Sequence, residues 1–123
     1  MATLLALFIT VSALRATFAP AAFAAAFGLP LHDLADSGFL GVYAIRSLFI
    51  CAFTLVLVAK RDLRTLSLFA LLACSMPVAD ALWVLRLTGE PTGMIRHAVI
   101  GVYLLATALV LRRAARTAGP VLA

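Results

Sequence analysis

Residues 63–87, LRTLSLFALLACSMPVADALWVLRL, decide how the chain is read. The run is long enough to cross a bilayer core of about 30 Å, which takes about 20 helical residues, and between Arg64 and Arg86 its only charge is Asp80. A carboxylate in such a segment is costly in lipid, so it marks a functional site by default. Pro77 lacks an amide donor and frees the carbonyl of Ala73, which predicts a kink just before Asp80.

Three further apolar runs surround this one. Upstream, the basic turn Lys60-Arg61-Asp62-Leu63-Arg64 joins it to the run 38–59, where Arg46 lies roughly 12 Å from the start, near mid-membrane. Tyr43 precedes Arg46 by three residues and Ser47 follows it. Downstream, the polar loop 88–93 leads to the run 94–111, which opens with Arg96-His97. The first run, 2–19, lacks the basic start of a secretory signal and carries Arg15 toward its far end, so it reads as a retained span.

Between the first two spans, PAAFAAAFGLP (20–30) is bounded by prolines and too short to cross. Its Phe23 and Phe27 share one helical face, which predicts an interfacial or re-entrant helix over 20–29. The acidic stretch LHDLADS (31–37) follows, with Asp36 or Ser37 available to cap the next helix.

Composition agrees. With 65% hydrophobic and 12% charged residues and a mean hydropathy of +1.15, these 123 residues could not cover a soluble core with polar surface. The expected fold is all-α: an integral membrane four-helix bundle with a short interfacial helix after the first span, a single polytopic domain over 1–123. Four spans leave no room in this length for a soluble catalytic domain. The net charge of +5 does not indicate nucleic acid, because Lys60, Arg61, Arg64, Arg112, Arg113 and Arg116 flank hydrophobic runs. By the positive-inside rule these residues place both termini in the cytoplasm, in a multi-pass protein of a bacterial or other cell membrane. Arg15, Arg46, Asp80, Arg86, Glu90, Arg96 and His97 then fall in the outer half. Cys51 and Cys74 have no CxxC spacing and read as buried free thiols.

Several short motifs carry a resemblance: Phe27-Gly28-Leu29-Pro30, Tyr43-Ala44-Ile45-Arg46, Pro77-Val78-Ala79-Asp80-Ala81, and His97 opening the fourth run. The pattern resembles a family of small four-helix bacterial and fungal membrane proteins catalogued as a domain of unknown function, loosely akin to DoxX-like proteins. Where members of that family commonly show Gly-Val-Arg-Asp, this chain has Ser47 after Arg46, which removes a carboxylate beside the arginine. The resemblance implies fold and topology and brings no established reaction.

Asp80 and Arg46 fall at matching depths, so a structural ion pair that fixes helix register accounts for both. The functional reading adds His97, whose neutral ring can both donate and accept, and Tyr43, one turn from Arg46. In that reading Asp80, His97 and Arg46 are catalytic, and Tyr43, Ser47, Trp83, Arg86 and Arg96 contact a ligand. Anchoring and snorkelling at the membrane interface are the competing account of Trp83, Arg86 and Arg96.

Three functions follow. The first is a pocket for a lipophilic small molecule with acid/base chemistry of an isomerase, cyclase or epoxide-opening hydrolase type. The second is a non-enzymatic assembly partner or a subunit of a redox- or quinone-linked membrane complex. The third is a transporter or proton pathway, disfavoured because the ionisable groups crowd one half and no internal repeat is evident. The partners expected are membrane lipids, the lipophilic ligand and further copies of the chain, with no nucleic acid. No cofactor is implied, and the scattered His and carboxylate residues give no metal-ligand spacing.

Overall fold

The computed structural model describes residues 1–117, the side chains of Leu34 and Asp36 excepted. All regular structure among these residues is helical: α1 (Ala2–Phe18), α2 (Pro20–Phe27), α3 (Gly38–Ala59), α4 (Leu63–Ala73), α5 (Ser75–Thr88) and α6 (Met94–Thr117). Short 3-10 turns at Leu34–Ser37 and Pro91–Gly93 lead into α3 and α6. Three segments, Gly38–Ala59, Leu63–Thr88 and Pro91–Thr117, are long and apolar enough to cross a membrane, and Ala2–Phe18 is a shorter apolar helix beside them. The chain is a small multi-span membrane protein.

Each boundary has a local cause. Pro20 stands at the first position of α2, where its missing N–H and fixed φ cost nothing. Gly28, at φ +100°, ends α2: its amide donates to the carbonyl of Ala25, and the Leu29 amide to that of Ala24. The expected cap on α3 is not made by Ser37, and the Asp36 side chain lies outside the described residues. Arg61 adopts φ +55° in an equivalent stop after α3, and the Asp62 carboxylate then accepts the Thr65 amide at 3.0 Å to cap α4. Hydrogen bonds from Thr65, side chain first and backbone next, hold the Asp62 carboxyl below its ordinary range.

The third apolar run is interrupted at Cys74, three residues before Pro77. Side chains occupy carbonyls beside the break. Ser75 Oγ donates to the Leu72 carbonyl at 2.8 Å, and Cys74 Sγ to that of Ala70 at 3.3 Å. Hydroxyls elsewhere also bond back one turn, as Thr54 Oγ1 does to the Ile50 carbonyl and Thr107 Oγ1 to that of Tyr103. In an apolar surrounding this is the cheapest way to satisfy a buried hydroxyl.

Packing produces two antiparallel pairs. α1 lies along α3, and α6 lies along α4 and α5. Small residues allow close approach in the first pair, with Ala6, Ala13 and Ala16 of α1 buried together with Ala44 and Cys51 of α3. In the second, Ser67 Oγ donates to the Ala108 carbonyl at 2.9 Å. Phe23 of α2 is 1% exposed and sits in a core with Ala13, Ala16, Leu40 and Ala44, so this helix packs against the bundle through its aromatic face. Burying such a ring is worth about 1.5–3 kcal/mol in water and correspondingly less where lipid replaces water.

Candidate functional site

A cavity of about 100 Å³ lies in the seam between the two helix pairs. Its walls are mainly apolar, with Leu5 and Ile9 from α1, Ile50 from α3, Phe69 and Ala73 from α4, Met76 from α5, and Ile100 and Leu104 from α6. The polar groups of the lining are Ser12, Tyr43, Ser47, Asp80, Arg96 and His97. The break at Cys74 precedes Asp80 in the same apolar run, and Asp80 is half-buried at the wall.

His97 is held from two sides. It is 2% exposed, its Nε2–H donates to the backbone carbonyl of Phe27 at 3.0 Å, and the Phe27 ring meets it edge-on at a centroid distance of 4.7 Å. That carbonyl is one of the last in α2 and has no helical partner, since the chain turns away at Gly28. Donation from Nε2 selects the tautomer, so the neutral ring keeps its lone pair on Nδ1. The geometry behind this contact is tight: Val84, 0% exposed, sits against both Gly28 and Gly93, where a Cβ would stand 3.0 and 2.8 Å from its Cγ1.

The side chains that bear on Asp80 are His97 and Arg46, acting through space and not by a hydrogen bond. Tyr43 stands among Arg96, Asp80 and Arg46, with its ring 5.0 Å from that of Phe23 and 6.1 Å from that of Phe27. Arg96 places its guanidinium carbon 5.8 Å from the Phe23 ring centroid. Asp80, His97, Tyr43, Ser47 and Arg96 therefore share one cavity.

The other three residues singled out from the sequence lie elsewhere. Arg46 is exposed on the face of α3 that carries Val42, Ile45 and Phe49, with its guanidinium 5.8 Å from the Tyr43 ring. Trp83 and Arg86 are exposed and stack on one another at 5.5 Å, outside the cavity lining. Ser12 and Phe27 are residues of the site that sequence reasoning left out. A glycine after an apolar helical run is a readable stop, and a stop leaves a free carbonyl; what the sequence does not show is that His97 receives it.

Chemically, the arrangement offers a carboxylate, a phenol and an imidazole of fixed tautomer at an apolar cavity, a set able to accept and donate protons. Among the described residues no three of His, Cys, Asp and Glu are grouped as a metal site would need. A family model described as a domain of unknown function (DUF4267) matches residues 6–111. No curated protein and no solved structure matches the chain.

Proposed function

We propose that this protein, which belongs to the DUF4267 family, binds a lipophilic small molecule in the seam between its helix pairs, and that Asp80 and His97 exchange protons with the polar end of that molecule. The observation that carries this reading is a cavity with mainly apolar walls where a carboxylate, a phenol and a single-tautomer imidazole meet. Apolar walls with a few placed polar groups are the general form of a small-molecule site. The volume sets a limit: about 100 Å³ is well below the roughly 300–1,000 Å³ of pockets for drug-sized ligands. The occupant is therefore a very small lipophile, or one end of a longer molecule whose remainder lies in lipid. Arg96 would orient an oxygen of the ligand, His97 Nδ1 would accept a proton, and the Asp80 carboxyl would give one. Isomerisation, cyclisation and epoxide opening are reactions of this type. In the membrane, the arginines at the start of α4 and the end of α6 favour an orientation with both termini cytoplasmic and the cavity toward the outer leaflet.

The test is mass spectrometry of small molecules extracted from nanodisc-embedded protein, comparing wild type, Asp80→Asn and empty discs. A lipophile enriched with wild type and lost or chemically altered with Asp80→Asn supports the reading. No enrichment in either folded sample refutes it.

One observation favours a second reading, that of an assembly partner. Arg46 lies on the apolar outer face of α3, where an unpaired guanidinium costs several kcal/mol in hydrocarbon unless it snorkels or meets an acceptor on another subunit. In that reading Arg46→Leu disrupts an assembly and leaves the extracted small molecules unchanged.

A further inference from the structure

The end of the bundle remote from Asp80 holds a second concavity that plays no part in the reading above. It is a groove of about 510 Å³ between α4 and α6, and three of its lining residues are Arg64, Arg112 and Arg116. Arg112 and Arg116 are four residues apart and so lie on one face of α6. Arg64, in the first turn of α4, faces them across the groove. The floor is fixed by Ser67, whose hydroxyl is engaged by the Ala108 carbonyl and which ties the two helices together.

Charge and shape both point to one class of occupant. The sequence has a single carboxylate between Gly38 and Ala79, Asp62, and none in α6. The Asp62 carboxylate accepts the Thr65 amide as a helix cap and does not line the groove. Among the described residues the groove lining thus carries three guanidiniums and no carboxylate. From Arg64 the groove climbs along Leu68 and Leu71, four and seven residues on, which stand 56% and 46% exposed on the same helical face. A basic foot below an apolar strip matches a molecule with an anionic head and a hydrocarbon tail. A free phosphate would use only the foot.

We infer that this groove binds one anionic phospholipid of the leaflet at this end, with the headgroup phosphate on Arg64, Arg112 and Arg116 and an acyl chain along Leu68 and Leu71. Arginine forks suit phosphate oxygens, and each cation near a membrane surface strengthens binding of anionic lipid several-fold.

The experiment is native mass spectrometry of protein released from discs of phosphatidylcholine containing a minor fraction of phosphatidylglycerol. Retained phosphatidylglycerol is read for wild type, for the triple variant Arg64→Gln/Arg112→Gln/Arg116→Gln, and for Arg113→Gln as a neighbouring cation outside the groove. Circular dichroism checks that each variant stays helical. Wild type is expected to retain phosphatidylglycerol over phosphatidylcholine, the triple variant to lose that preference on the order of 100-fold, and Arg113→Gln to keep it. Leu71→Trp, which fills the strip above intact arginines, is expected to weaken retention as well. Equal retention in wild type and triple variant overturns the inference, and so does an Arg113→Gln loss as large as that of the triple variant. Displacement of the lipid by millimolar inorganic phosphate identifies a phosphate site instead and equally overturns it.

Discussion

Gly93→Ala offers a sharp test of how the cavity end of the bundle is held together. Gly93 closes the turn before α6, and a Cβ there would stand 2.8 Å from Cγ1 of Val84, where carbon atoms prefer about 3.5–4.0 Å. The methyl cannot simply turn away. Val84 is fully buried and β-branched, and Gly28 hems in both its γ carbons, since a Cβ there would lie 3.0 and 3.6 Å from them. Overpacking of this kind costs about 1–3 kcal/mol, offset by up to about 1 kcal/mol because alanine restricts the unfolded chain. Thermal unfolding in nanodiscs, followed through the single tryptophan Trp83 next to Val84, should show a midpoint lowered by up to about 10 °C on the soluble-protein scale. In a Val84→Ala background the same substitution should be neutral or slightly stabilising, a coupling of about 1–3 kcal/mol. Gly41→Ala is the control: nothing stands within 4 Å of its Cβ position, and it should stabilise α3 by up to about 1 kcal/mol. The same midpoint shift for Gly93→Ala in both backgrounds would refute the packing argument.

Two further outcomes follow from local chemistry. His97→Phe leaves the Phe27 carbonyl without its donor and should destabilise by about 1–3 kcal/mol in the same melting assay, whereas His97→Gln, which can still donate, should recover much of the loss. Asp62 lies in the turn outside the spans, and its carboxyl is held below the ordinary range by Thr65. Its cap is therefore fully present above the usual carboxylate pKa and is lost as pH falls through the lowered value. The melting midpoint of wild type should drop over that acidic window, and Asp62→Ala should remove this component of the pH dependence.

The parts of the fold that sequence made legible are those set by length and by local breakers. The apolar runs give the all-α membrane bundle because each must satisfy its backbone internally in lipid. Pro77 announces the interruption that falls at Cys74, since the missing amide acts on its own helix. Azimuth was harder. Counting residues predicts matching depths for Arg46 and Asp80, yet Arg46 lies on the face shared by Val42, Ile45 and Phe49, a stripe that helical periodicity contained but that depth alone passes over. Trp83 likewise falls two helical positions from the buried Ala81 and points outward with Arg86. The contact from His97 to Phe27 was not legible at all. It joins residues 70 apart through a backbone carbonyl, a group that every residue carries and no sequence distinguishes.

The central claim, that the seam beside Asp80 is a ligand site, is tested most directly by photolabelling nanodisc-embedded protein with a short alkyl diazirine and mapping the adducts by peptide mass spectrometry. Adducts are expected on the cavity walls, at Met76 and Ile100, and are expected to disappear in Ala73→Leu, where added side-chain volume fills the cavity. Adducts confined to the lipid-facing Val42, Phe49 and Val102, unchanged by Ala73→Leu, would contradict that claim.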